Sequence, residues 1–299
     1  MADYRICLST WSLHRSLGPI RLTQRDGSGR KVPWVRDQPQ TLSLLEFPAE
    51  AKRRLGVDRL EICQMHLPSR DGAYLDELAA AIEAAGATVV DMPIDVGNVS
   101  AADPRHRDED CREIEEWIDV AARLGAPMVR VNANGAPPFA DEPIAGLDAT
   151  AASFGRLVEY AGGRGVGVLV ENHGGITADP ATVVRLVEMV GPERLKVCVD
   201  VGNFEPALSR QRHDADFAGV DWAPLYEGIA MVAPYAGMLH AKTARFGPDG
   251  AHAGWDVVGA LRIVRDAGFA GDVSIEYGGG VDEWRSAALT KRAIEQAFA

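Results

Sequence analysis

Three features of the sequence predict an α/β fold built as a single (β/α)₈ TIM barrel. Short segments rich in Val, Ile and Leu recur eight times, each is followed by a longer stretch with helical spacing, and no G-x-G-x-x-G turn follows the first of them. Apolar strands alternating with helices indicate a parallel sheet covered by helices. Eight such units in about 250 to 300 residues fit a closed barrel better than a doubly wound sheet.

In chain order the strands are RICLSTWS from Arg5, RLEICQMH from Arg59, TVVDMPID from Thr88, MVRVNA from Met128, GVLVENH from Gly167, LKVCVDVGN from Leu195, GMLHAKT from Gly237 and DVSIEYGG from Asp272. Between them lie helical patterns such as LDELAAAIEAAG, stopped by Gly86, and CREIEEWIDVAARLG, stopped by Gly125. No composition break marks a second domain, so residues 1–299 are expected to form one. One connection is unusual. Residues 14–40, after the first strand, are polar and carry Gly18, Gly27, Gly29, Pro19 and Pro33, with Val32, Trp34 and Val35 as apolar anchors. A long loop there suggests a lid or a subunit contact at the barrel mouth.

The chain has 31 Lys and Arg against 43 Asp and Glu, and a net charge of −12 opposes attraction to a phosphate backbone or an anionic membrane. Nucleic acid and membrane partners are therefore not expected. Cys7, Cys63, Cys111 and Cys198 are scattered, without the spacing of a disulfide framework. No basic segment precedes an apolar stretch near Met1 and no long apolar run appears, so a cytoplasmic protein is expected.

The active face of such a barrel lies at the C-terminal ends of the strands. There the sequence places Trp11, His66, Asn132, Glu171, His173, Asp200, Asn203, His240, Lys242 and Glu276. Glu171, Asp200, His240 and Glu276 come from four consecutive strands, each at the end of an apolar run, and their side chains are expected to converge. Three carboxylates in one place repel each other unless a cation supplies the opposing charge. One divalent metal ion, Mn²⁺, Mg²⁺, Co²⁺ or Zn²⁺, suits three oxygen donors and an imidazole. The absence of a cysteine ligand argues against a structural zinc.

ENHGG at Glu171, DVGN at Asp200, HAK at His240 and SIEYGG around Glu276 resemble the xylose-isomerase-like TIM-barrel superfamily of sugar (phosphate) isomerases and epimerases. That resemblance implies that Glu171, Asp200, His240 and Glu276 bind the metal. It also implies that Glu171 and Glu276 form the acid/base pair, moving a proton through a metal-stabilised cis-enediolate of a sugar or polyol. Asn203 departs from the ketose epimerase pattern, where a histidine commonly follows the aspartate by three residues. Trp11, His66, Asn132, His173, Asn203, Lys242 and Arg245 are candidates for substrate contacts. Gly278, Gly279 and Gly280 open the last helix, but Asp282 and Glu283 at its start would repel phosphate, which favours an unphosphorylated sugar, polyol or keto-acid.

Three alternatives share these residues. Loss of a β-hydroxyl from the same intermediate gives a dehydratase like the inosose dehydratase branch. A multi-metal abasic-site endonuclease would use His252 and Asp249 as extra ligands, but Asn203 stands where that branch has a histidine and the net charge is unfavourable. The third is a barrel that binds sugar without turnover. Members of the superfamily are often homo-dimers or homo-tetramers, and the 14–40 segment is where a subunit contact is expected.

Overall fold

The computed structural model describes residues 4–134, 142–211 and 215–299. Eight parallel strands close into a barrel: β1 (Arg5–Ser9), β4 (Arg59–Glu61), β5 (Thr88–Ile94), β6 (Met128–Val131), β7 (Gly167–Glu171), β8 (Leu195–Asp200), β9 (Ala236–Thr243) and β10 (Asp272–Tyr277), with β10 and β4 both paired to β1. Around them lie α1 (Phe47–Leu55), α2 (Gly72–Ala84), α3 (Pro104–Arg123), α4 (Leu147–Gly162), α5 (Pro180–Val190), α6 (Ala223–Val232), α7 (Val257–Asp266) and α8 (Glu283–Phe298). The eight strands expected from the sequence are the eight of the barrel.

Local chemistry sets the helix ends. Asp103, Asp179 and Asp256 cap α3, α5 and α7 by accepting backbone N–H bonds from Arg105, Thr182 and Gly259. Pro104 and Pro180 occupy first helical positions, where a missing N–H costs nothing. Gly86 and Gly125, expected as stops, follow α2 and α3 with φ of 61° and 75°, a left-handed conformation that glycine adopts without strain.

Apolar packing forms two regions. The larger lies between the barrel and its helices and includes Phe47, Phe154, Leu186 and Trp255. The smaller, Cys7, Val90, Leu169, Cys198 and Met238, is fully buried. Leu169, Cys198 and Met238 each precede a polar residue by two, namely Glu171, Asp200 and His240. Side chains two apart on a strand share a face, so this cluster plugs the barrel beneath those three groups. The cysteines are free thiols, and burial pushes the Cys63 thiol up to about 12.

Residues 14–40 are more ordered than the sequence suggests. They contain an antiparallel hairpin, β2 (Ile20–Arg25) paired with β3 (Lys31–Arg36), with Gly29 in its turn. Its tip is clamped on α3: Arg25 pairs with Glu109 at 2.7 Å and Asp110 at 2.8 Å, and Lys31 with Asp110 at 2.6 Å. The expected long loop is thus a two-stranded sheet. Glycine and proline content obscured two six-residue strands whose alternate side chains face inward. Among the described residues, no helix is long and apolar enough to cross a membrane.

Candidate metal centre

Glu171 ends β7, Asp200 ends β8, and His240 and Glu276 lie near the ends of β9 and β10. Sheet register brings them together. Asp200 lies beside His240, and Glu276 beside Lys242, two residues beyond His240. One ligand atom from each of Glu171, Asp200, His240 and Glu276 falls within a common span of 4.8 Å, with all four side chains buried.

Each of the four keeps one buried polar atom without a hydrogen-bond partner: Glu171 Oε2, Asp200 Oδ2, His240 Nδ1 and Glu276 Oε2. Buried polar atoms are normally satisfied, and four orphans in one cluster call for a missing partner. His240 Nδ1 and Glu276 Oε2 are only 2.6 Å apart yet not aligned for a hydrogen bond. The donor set, three hard oxygens and one imidazole nitrogen, fits a divalent cation.

The remaining atoms of these residues are engaged. Asn203 donates to Glu171 Oε1 at 3.0 Å, and Lys242 donates to Glu276 Oε1 at 2.7 Å while standing 3.5 Å from Asp200 Oδ2. Asp200 and Asn172 exchange two bonds: the Asn172 amide donates to the Asp200 carbonyl, and the Asp200 N–H donates back to the Asn172 side chain. Asn172 thus locks the end of β7 to the end of β8. Gly202 permits the approach of Lys242, because a Cβ there would lie 2.8 Å from Lys242 Cγ and 2.7 Å from the Trp255 ring.

Electrostatics differ among the carboxylates. Burial raises the pKa of Glu171, but Arg130, His173 and His240 outweigh it and hold the group at about 2. Burial likewise opposes charge on Glu276, yet Lys242 and His240 bring it well below the usual range. Asp200 goes the other way: desolvation, with Glu276 and Glu171 nearby, raises it well above normal despite Lys242.

Two residues that sequence reasoning missed support the centre. Glu61, at the end of β4, accepts from His240 Nε2 at 2.8 Å, which leaves Nδ1 as the nitrogen turned toward the other carboxylates. Arg130 on β6 is buried, donates to Asp95 at 2.6 Å, and lies 3.0 Å from Glu171 Oε2 without hydrogen-bond alignment. Both sit inside apolar runs, RLEIC and MVRVN. A lone charge within such a run was the available signal.

The cluster borders a cavity of about 380 Å³ that Trp11, His173, Lys242, Arg130 and Glu276 line together with hairpin residues Ile20, Leu22, Trp34 and Arg36. The other expected contact residues lie further back. Asn132 donates to Asp95, and His66 is buried against the Thr10 hydroxyl. Arg245 donates to the Ala215 carbonyl and covers the Phe217 ring. Asp249 and His252 line a separate cavity of about 510 Å³ with Trp255 and Leu289, so the structure does not join them to the four-residue cluster.

Solved structures of the same shape are known. L-ribulose 3-epimerase superposes with a TM-score of 0.68 at 17% identity, covering 100% of this chain and 96% of that one. A xylose isomerase-like TIM barrel protein from Mycobacterium smegmatis in complex with magnesium gives 0.63 at 16%, covering 94% and 98%. The IOLI protein with a bound zinc atom gives 0.63 at 16%, covering 98% and 96%. At these identities the likeness is one of fold. No curated protein matches by sequence. A family profile described as xylose isomerase-like TIM barrel does match, over residues 49–295. The matched span runs from within α1 to within α8, and the chain therefore belongs to the xylose isomerase-like TIM barrel family.

Proposed function

We propose that the protein is a divalent-metal-dependent isomerase or epimerase of a sugar or related polyol, acting as one barrel domain by proton transfer between Glu171 and Glu276. The observation that carries this reading is the set of four buried ligand-type residues, each with one unpartnered atom, beside a cavity large enough for a small sugar. The epimerase, magnesium and zinc named for the three similar folds agree with it.

Glu171, Asp200, His240 and Glu276 would hold the ion. Bound there, it would supply Lewis acidity, drawing negative charge onto the substrate's carbonyl and hydroxyl oxygens. The chain's own groups do the rest. Glu171 is ionised and fixed through Oε1 by Asn203, so it is poised to take a proton from carbon. Glu276, three strands away in the barrel, is fixed through Oε1 by Lys242 and, after taking up a proton from solvent, delivers it to the substrate carbon, while Glu171 releases the proton it took. Glu61 positions the imidazole of His240. His173 and Trp11 contact the sugar, and the hairpin covers it from water.

In deuterium oxide, the Mn²⁺-loaded protein is expected to place deuterium on the carbon next to the carbonyl of a ketose or aldose as it converts it. NMR of the recovered sugars checks this. Conversion that leaves the product free of deuterium would rule out proton transfer by Glu171 and Glu276.

A further inference from the structure

The hairpin presents one chemical face to the cavity. Ile20 pairs with Arg36 and Leu22 with Trp34 across the two strands, and all four line the space. Directly opposed residues share a face of the sheet, so this face carries three apolar side chains and one guanidinium. The other cavity cations are engaged: Arg130 by Asp95 and Glu171, Lys242 by Glu276 and Asp200. The Arg36 side chain has no ion pair or hydrogen bond to any described residue, whereas at the hairpin's tip Arg25 and Lys31 are clamped by carboxylates on α3 and Arg30 pairs with Asp26.

We propose that Arg36 receives a carboxylate of the substrate, making the preferred substrate an acidic sugar, with its reacting carbons at the four-residue cluster and its carboxylate at the base of the hairpin. This rests on the proposed function and names its substrate class. A neutral sugar would leave a guanidinium at the cavity rim with nothing to recognise, beside an apolar patch formed by Trp34 and Ile20. The planar fork of Arg matches a carboxylate with two parallel hydrogen bonds.

A carboxylate fits better than a phosphate because the donors at the start of α8 are taken or opposed. Asp282 accepts from Arg285 N–H, and Glu283 accepts from the Arg15 N–H and the Ser16 hydroxyl. The Arg36 charge is also felt inside the wall. Burial chiefly lowers His66 to about 3 and His14 to about 4, and Arg36 contributes to both shifts, so neither imidazole competes for an anion by its own charge.

The test is calorimetric binding to the full chain, with and without Mn²⁺, of three probes that differ only at carbon 6: D-fructose, D-fructuronate and D-fructose 6-phosphate. D-fructuronate is expected to bind about 10- to 100-fold more tightly than D-fructose, and Arg36→Gln to erase that advantage by weakening D-fructuronate far more than D-fructose. Arg36→Lys should restore part of it. Equal binding of D-fructose and D-fructuronate, or a preference that survives Arg36→Gln, overturns the proposal. So does an Arg36-dependent preference in which the phosphate ester exceeds the carboxylate. Arg36-dependent binding of D-fructuronate with no deuterium exchange into any probe would instead sink the catalytic reading and leave the anion site standing.

Discussion

Glu171→Gln and Glu276→Gln each lower the rate of deuterium incorporation into substrate by about 10²- to 10⁴-fold at saturating Mn²⁺, the range that a positioned acid or base contributes. The amide keeps the shape of the carboxylate, so local contacts survive. In Glu171→Gln the new side-chain oxygen still accepts from Asn203, and in Glu276→Gln it still accepts from Lys242. What is lost is a group able to take and return a proton. Saturating metal separates this loss from weaker ion binding, since both residues also belong to the cluster. A fall of less than about tenfold in either variant would show that its carboxylate does not carry the proton.

Arg130→Met destabilises the fold by about 3–5 kcal/mol, seen as a drop on the order of 10 °C in Tm. The arginine is buried with two buried carboxylates, Asp95 and Glu171, and removing it leaves Asp95 without its cation and Glu171 with the His240 and His173 imidazoles nearby. Methionine keeps much of the aliphatic stem, so the loss reports uncompensated charge more than a cavity. Thermal unfolding of chelator-treated protein is the measurement, because an ion at the cluster would mask part of the loss. Adding Asp95→Asn should return some of the stability by removing one stranded charge. A change below about 1 kcal/mol in Arg130→Met would mean that Asp95 and Glu171 are not held by this guanidinium.

Much of this arrangement was legible because it follows from local pattern. Apolar strands and glycine stops specified the barrel, and the four strand-end residues stood out because each ended an apolar run. Glu61 and Arg130 were overlooked because they lie within such runs, where the strand is recognised by its apolar members. Only barrel closure reveals that Glu61 on β4 reaches His240 on β9, far away in sequence. The hairpin was hidden for a different reason. Ile20, Leu22, Trp34 and Arg36 share a face only once β2 and β3 pair, in a register set by the Asp26–Arg30 turn between them. Asn132, His66 and Arg245 have the right chemistry at strand ends or in the following loops, yet each bonds to other protein groups and none of the three lines the cavity. Strand-end position does not distinguish a side chain that faces the cavity from one that supports it.

Calorimetric titration of Mn²⁺ into the chelator-treated protein tests the metal centre most directly. One ion is expected to bind per chain, with affinity reduced roughly 10- to 100-fold in Glu61→Gln, because the His240 imidazole loses the carboxylate that orients it. Absence of saturable binding to the unsubstituted protein, or unchanged binding in Asp200→Asn, would contradict a metal centre built from Glu171, Asp200, His240 and Glu276.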